Sequence, residues 1–252
     1  MGKVSKRKVA VLTGRYGGLG EHIYKALRGF TVITIGNNSK NDFSVDMSRR
    51  DETYDLSNAM HEIYSEYGRI DVLINNAGIT NIQYNEKETV ENFDRVMNVN
   101  VRAPFILMKE FLHLERRSSD PKVVINIASM ASFYALRCST AYNASKAGLV
   151  AMTKQFAREE ANRYPHFRFH CISPCGLRES ARRTGGMIEK ILPQMVSVRG
   201  FKSIEEARKY NLTSPSGKLE DFKNVAKVVR FLIDHGTINM SGCNWDFRDC
   251  AS

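Results

Sequence analysis

The chain has 252 residues, 42% apolar and 25% charged, which supplies a sizeable core and excludes a disordered or collagen-like polypeptide. Thirty-seven basic residues against 27 acidic ones leave a formal charge of +10, so nucleic acid, a membrane surface and an anionic small molecule are the candidate partners. No apolar run approaches the ~18 to 20 residues of a spanning helix.

The basic start (Lys3, Lys6, Arg7, Lys8) precedes an apolar stretch too short for a signal peptide, and a cytoplasmic protein is expected. Val9 to Thr13 predicts the first strand and 18 to 28 the first helix. Thr31 to Ile35 predicts the second strand. Only Gly36 to Asp42 separates it from a short third strand at Phe43 to Asp46, so a crossover helix is expected to be missing there. Further strands are predicted at Ile70 to Asn75, Val123 to Ala128 and Phe167 to Ile172, with helices over 52 to 67, 93 to 117 and 141 to 163. The alternation argues an α/β fold: one doubly wound parallel sheet with helices on both faces, in a single domain over 1–252. Segment 177 to 219, with Gly185, Gly186, Pro193, Pro215 and Gly217, reads as a substrate lid. The five cysteines (138, 171, 175, 243, 250) have no Cys-x-x-Cys spacing and are expected as reduced thiols.

The first strand runs into Thr13-Gly14-Arg15-Tyr16-Gly17-Gly18-Leu19-Gly20. Glycines there let a backbone approach a pyrophosphate closely, and the N-terminus of the following helix favours its charge. Tyr142 and Lys146 stand four apart, on one face of a helix. A phenol with a pKa of ~10 becomes a useful acid or base near neutrality when a cation favours its phenolate. Taken alone, that pair reads as a solvated helix pair.

Taken in order, these features resemble the classical short-chain dehydrogenase/reductase family from about Lys8 to Asp246. The resemblance rests on Thr13-Gly14-x-x-x-Gly18-x-Gly20, Asn75-Asn76-Ala77-Gly78, Asn100 within Asn98-Val99-Asn100-Val101, Ser129 thirteen residues before Tyr142, and Tyr142-x-x-x-Lys146. It implies a Rossmann-type oxidoreductase with a catalytic tetrad. Tyr142 would exchange a proton with the substrate oxygen and Ser129 would hydrogen-bond that oxygen. Lys146 would lower the tyrosine pKa and hold the nicotinamide ribose, and Asn100 would hold a water that relays protons. Cofactor contacts are expected from Gly14, Arg15, Gly18, Leu19, Gly20, Asn37, Asp46, Asn75, Ala77, Gly78, Tyr142, Lys146, Pro174 and Leu177. The resemblance also implies a homotetramer or homodimer, in which the helices over 93 to 117 and 141 to 163 pack across an interface; their apolar positions Phe105, Leu107, Met108, Phe111, Leu112, Leu149, Met152 and Phe156 are either that interface or ordinary core.

An acid at the end of the second strand would accept from a ribose 2′-OH and repel a 2′-phosphate. Gly36 stands there, followed by Asn37, Asn38, Ser39 and Lys40, so NADP(H) is favoured over NAD(H); Arg15 and Lys40 are either phosphate partners or solvated surface charges. Three departures from the family are visible: Pro174-Cys175-Gly176-Leu177-Arg178-Glu179 lacks the usual glycine and threonine, Arg248-Asp249-Cys250 replaces Asp-Gly-Gly, and the 36–42 connection is short. Ser180 is a replacement candidate for the lost hydroxyl. His166, His170, Cys171 and Cys175 form no metal set, because on a strand His166 and His170 lie ~13 Å apart and His170 and Cys171 point oppositely.

The expected function is therefore an NADP(H)-dependent oxidoreductase moving hydride between nicotinamide and a carbonyl or secondary alcohol, a ketoreductase on an anionic or carrier-linked substrate. The alternatives are an NAD-dependent alcohol dehydrogenase of the same family and a catalytically lapsed binding or scaffold protein. The charge supports the first reading: +4 lies in residues 1–8 and +5 in residues 177–219, where Arg178, Arg182, Arg183, Arg199 and Lys202 could steer an anion. The remainder is close to neutral, so neither nucleic acid nor membrane is expected as a partner.

Overall fold

The first strand, β1 (Val9–Thr13), is wholly buried, and its side chains alternate between two cores: Val9 and Val11 face one way, Ala10 and Leu12 the other. A strand covered on both faces has no polar side, hence the unbroken apolar run. The computed structural model describes residues 5–51, 53–175, 177–178, 187–207 and 220–247. Within them β2 (Thr31–Gly36), β3 (Phe43–Ser44), β4 (Val72–Asn75), β5 (Lys122–Ile127), β6 (Phe167–Ser173) and a last strand, β9 (Asn244–Asp246), join β1 in one parallel sheet of order β3-β2-β1-β4-β5-β6-β9. The two-residue strands β7 (Leu177–Arg178) and β8 (Glu220–Asp221) pair with each other in a separate ladder.

Helices cover both faces. On one, α2 (Thr53–Tyr67), α4 (Ala103–Glu115) and α5 (Thr140–Arg163) bring Met60, Ile63, Leu107, Phe111 and Ala157 onto Val9, Val11 and Leu73. On the other, α1 (Gly18–Ala26) and α7 (Phe222–His235), which follows α6 (Met187–Arg199) in the chain, bring Ile23, Val225, Val229 and Leu232 onto Ala10, Leu12 and Ile74. Each such side chain contributes roughly 1.5–3 kcal/mol on burial. α7 and β9 complete the fold beyond the elements that periodicity predicts.

The single helix expected over 93–117 is three pieces: α3 (Val90–Met97), a π turn Asn98–Arg102, and α4, which carries Pro104 in its first turn. Proline has no N–H and is tolerated only where no helical partner is needed, so the register resets there. The reset leaves Asn100 fully buried. The connection from β2 to β3 has no helix, as its length predicts. Asn38 organises it instead: its Oδ1 accepts from the Lys40 N–H at 2.9 Å and its carbonyl accepts from the Asn41 backbone and side chain at 2.9 and 2.7 Å.

Four residues expected at a subunit interface belong to the core of this chain: Leu107, Met108, Phe111 and Leu149 are buried because the helical period turns them toward the sheet. Phe105, Leu112, Met152 and Phe156 line a groove between α4 and α5, where Phe105 and Phe156 meet edge to face at 6.0 Å. At the N-terminal ends of the strands, Lys122 donates to Glu115 at 2.8 Å, to the Ile70 carbonyl at 2.8 Å and to Asp71 at 3.3 Å. Burial alone would raise the Asp71 carboxyl; bonds from Arg69 and the Val9 N–H, with Lys122 beside it, hold it below the usual carboxylate range instead.

Candidate active site

β1 lies where the strand order reverses, since its neighbours β2 and β4 lead away in opposite directions, and a crevice opens past the carboxyl ends of β1 and β4. The Thr13–Gly20 turn lines it. Gly14 has φ 68°, a left-handed value that side chains rarely adopt, and a Cβ on it would lie 2.8 Å from the Ala77 Cα. A Cβ on Gly20 would lie 2.2 Å from the Gly14 carbonyl oxygen, so α1 can pack this closely only with glycine there. α1 begins at Gly18 with no side-chain cap, which leaves its first-turn N–H groups and positive dipole end for an anion. This cradle fits a dinucleotide pyrophosphate. Leu19 is buried in the core under α1, so only its backbone is available to such a ligand.

The cradle is braced from β4 by a residue that motif reading passed over. The Asn76 side chain donates to the Thr13 and Gly14 carbonyls, both at 3.0 Å, while Thr13 Oγ1 accepts from the backbones of Asn76 and Ala77 at 3.0 and 2.9 Å. Its neighbour Asn75, expected at the cofactor, turns its side chain into the sheet. Asn75 is 2% exposed and its amide donates to Asn126 at 2.7 Å, whose own amide donates to Thr153 at 2.8 Å. Strand alternation sends the side chain of one of two adjacent asparagines inward, and the sequence alone does not say which.

The four expected catalytic residues converge on the same crevice. Ser129 follows β5 by two residues and caps a short 3-10 turn, and Tyr142 sits in the first turn of α5 with its hydroxyl hydrogen-bonded to Ser129. Burial raises the Tyr142 pKa, and the Ser129 bond draws it partly back. Lys146, one turn on, donates to the Ile127 carbonyl at 2.8 Å and lies 5.8 Å from the Tyr142 ring centre. Burial lowers its pKa to about 8, with the nearby Cys171 a smaller opposing influence. The Cys171 thiol is itself pushed up to about 12 by burial and stays neutral. Asn100 donates to the Ile79 carbonyl and to Ser145 Oγ and accepts from the Ile79 N–H, each at 2.9 Å. Ser145, a second residue that motif reading left without a role, passes this on by donating to the Tyr142 carbonyl at 2.8 Å. The π turn and α5 are thereby locked together. Gly78 closes the group: a Cβ there would press on Lys146 Nζ at 3.3 Å and Asn100 Oδ1 at 3.4 Å.

The other expected contacts scatter around this centre. Asp46 Oδ1 accepts from the Ser48 backbone and hydroxyl at 3.0 and 2.7 Å. Asn37 is exposed in the β2–β3 connection. Pro174 is buried behind Ser129, its carbonyl accepting from the Met130 N–H at 2.9 Å, and Leu177 begins β7. Arg15 stands beside the glycine turn, its guanidinium carbon 3.6 Å from the Tyr24 ring centre and 5.0 Å from that of Tyr16. Gly176, Glu179, Ser180, Arg182, Arg183 and the Arg248-Asp249-Cys250 ending lie outside the described residues. Of the histidine and cysteine cluster, His166 Nε2 lies 3.1 Å from the Glu115 carbonyl oxygen, whereas His170 and Cys171 are buried toward opposite faces of β6.

A glycine cradle beside a Tyr-Lys-Ser group is chemically complete for redox work at a hydroxyl carbon, and comparison with known proteins agrees. A model of the short chain dehydrogenase family matches residues 8–184. The chain belongs to the short-chain dehydrogenase family. It is an NAD(P)-dependent oxidoreductase interconverting CH–OH and C=O. A 3-oxoacyl-(acyl-carrier-protein) reductase of Thermotoga maritima is 28% identical, with 93% of this chain and 94% of that protein aligned. A 2-dehydro-3-deoxy-D-gluconate 5-dehydrogenase of Bacillus subtilis is 27% identical over 94% of this chain and 91% of its own. Among solved structures, an actinorhodin polyketide ketoreductase superimposes with a TM-score of 0.83 at 21% identity, covering 98% of each chain, which shows the shared fold. No described helix of this short-chain dehydrogenase is long and apolar enough to cross a membrane.

Proposed function

We propose that this enzyme is an NADP(H)-dependent ketoreductase acting on an anionic or carrier-linked substrate, with alcohol oxidation as the reverse of the same step. The observation that carries the reading is the Ser129–Tyr142 hydrogen bond one helical turn from a buried ammonium, beside the glycine cradle. The bound nicotinamide would give hydride to the carbonyl carbon or take it from the alcohol. Tyr142 donates its phenolic proton to the carbonyl oxygen, and Ser129 donates a hydrogen bond to that oxygen as charge develops on it. The phenolate left behind is stabilised by the Lys146 ammonium and regains a proton from it. With a pKa of about 8, Lys146 can release a proton near neutrality. Asn100 and Ser145 hold this turn of α5 in place.

Three observations support the choice of NADP(H) and of an anionic substrate. The end of β2 carries Gly36, and the nearest acid, Asp42, accepts instead from the Thr34 N–H and hydroxyl at 2.8 and 2.7 Å. Arg15 brings a cation to the same corner. Arg137 and Arg199 stand beside the start of α5, Arg199 donating to Ser139 at 3.0 Å. The Thermotoga relative is a reductase of a carrier-linked oxoacyl group, which supports the substrate class. Replacing Tyr142 with Phe should lower NADPH-dependent turnover by roughly 10³-fold or more while NADPH binding, followed by fluorescence, changes little. Near-full turnover in that variant would overturn the mechanism, and binding of NADH in preference to NADPH by the unaltered enzyme would overturn the cofactor assignment.

A further inference from the structure

Arg15 is an unusual cation. Among the described residues no carboxylate pairs with it, and its one hydrogen bond runs from Nη1 to the Tyr16 hydroxyl at 3.3 Å. Its Nε is buried without a partner. What holds it is aromatic: the guanidinium stacks on Tyr24 of α1, with Cζ 3.6 Å from the ring centre, and Tyr16 lies at 5.0 Å. Tyr16 is 37% exposed, yet its hydroxyl donates to the Lys40 carbonyl at 2.6 Å, which ties the glycine turn to the connection after β2. The Gly14 N–H makes a second tie, to the Ile35 carbonyl at 3.1 Å.

We propose that Tyr24 and Tyr16 are positioning residues for cofactor choice, clamping Arg15 as a receptor for the phosphate monoester on the adenosine ribose. The inference rests on the NADP(H) reading above and names the side chains that enforce it. A carboxylate partner would fix Arg15 equally well but would cancel its charge; two aromatic faces fix it and leave the charge for an incoming anion. An unclamped arginine loses rotamer entropy on binding, and stacking removes much of that loss beforehand. The planar fork keeps its outer Nη donors for a phosphate, while Nε is buried. The location is that of the ribose in a dinucleotide fold, between the glycine turn and the end of the second strand, and Asp42 is turned away from it.

The test measures dissociation constants of NADPH and NADH by fluorescence, together with KM and kcat for each, on the full-length enzyme and its variants. Arg15→Ala should weaken NADPH by roughly 10- to 100-fold, the size expected for charge-assisted hydrogen bonds, and NADH by less than about twofold. Tyr24→Leu, which keeps the apolar bulk, should weaken NADPH by about 3- to 10-fold, in KM rather than kcat, and Tyr24→Phe should restore it because a phenyl face still stacks. In the Arg15→Ala background Tyr24→Leu should add nothing. Tyr16→Ala, at an exposed position, should show a smaller loss in the same direction and carries the test if Tyr24→Leu does not fold. If Arg15→Ala leaves the NADPH to NADH ratio unchanged, the cofactor reading fails and the clamp with it. If Arg15→Ala shifts the ratio but the tyrosine variants do not, or weaken both cofactors equally, the clamp alone is overturned.

Discussion

Two lysines are buried at opposite ends of one strand, and they are buried differently. Lys122 begins β5 and is 1% exposed; it reaches two carboxylates and a carbonyl, and those carboxylates in turn accept from Arg69 and from the Val9 and Ile70 N–H groups. Lys146 is 3% exposed at the other end, held by the carbonyl of Ile127, the last residue of that same strand. Desolvation costs both ammonium groups several kcal/mol. At the first end the carboxylates offset that cost, and the charge serves the fold. At the second there is no carboxylate partner among the described residues, and the uncompensated cost appears as a pKa lowered to about 8. A charge whose burial is left uncompensated is one the chemistry can use.

The contrast breaks most sharply if the two lysines are exchanged for methionine in turn. Lys146→Met should reduce turnover by roughly 10³- to 10⁴-fold with thermal stability held or raised, since an ill-compensated buried charge is removed. Lys122→Met should do the opposite: about 3–5 kcal/mol of stability lost, read from denaturant midpoints, because Glu115 and Asp71 become buried charges without their partner, while the folded fraction keeps its turnover. A similar result from both substitutions would dissolve the distinction.

Acid separates the regions further. His170, buried on β6 with Arg168 and the Met240 backbone nearby, has its pKa lowered to about 4, chiefly by desolvation. Its unfolded value is ~6.5, so the unfolded state takes the proton first, and stability present above pH ~6.5 should decline by roughly 3 kcal/mol as pH falls to about 4. Asp71 loses its contribution only below the ordinary carboxylate range, at still lower pH. Unfolding curves of His170→Leu should be flat between pH 6.5 and 4.5 if this assignment is right. In the other direction, reduction should slow as pH rises through about 8 and Lys146 loses its proton. The smallest effect concerns the mouth of the site. If Arg137 and Arg199 help to draw in an anion, kcat/KM should fall by about two- to fivefold between low and physiological salt, and Arg137→Gln should flatten that dependence.

Much of the fold is legible because doubly covered strands show as unbroken apolar runs, and the six residues between β2 and β3 are too few for a crossover helix. The tetrad is legible as spaced residue types. Neighbouring residues are harder to tell apart. Asn75 and Asn76 are alike in sequence, yet one cross-braces β4 to β5 and the other holds the glycine turn. Leu107 and Phe105 are alike as apolar helix residues, yet one is core and the other 45% exposed. The break at Asn98–Arg102 is hidden because its residues continue an apolar helical period, and only packing against Ile79 and Ser145 gives the π turn its purpose.

The sequence by itself determined the alternation of strands and helices as far as β6, the glycine turn, and the presence of a tyrosine, a lysine, a serine and an asparagine suited to exchanging a proton at a hydroxyl carbon. These are local matters of spacing, periodicity and the special dihedrals of glycine. Only the tertiary structure decided which buried lysine would be neutralised by carboxylates and which would be left poised, because both depend on what lies across the sheet. It also decided that Arg15 stacks on Tyr24 with Tyr16 nearby and, among the described residues, with no acid paired to it. Tyr24 is nine residues from Arg15 along the chain, and the turn of α1 that closes this distance exists because Gly14 and Gly20 leave room for it.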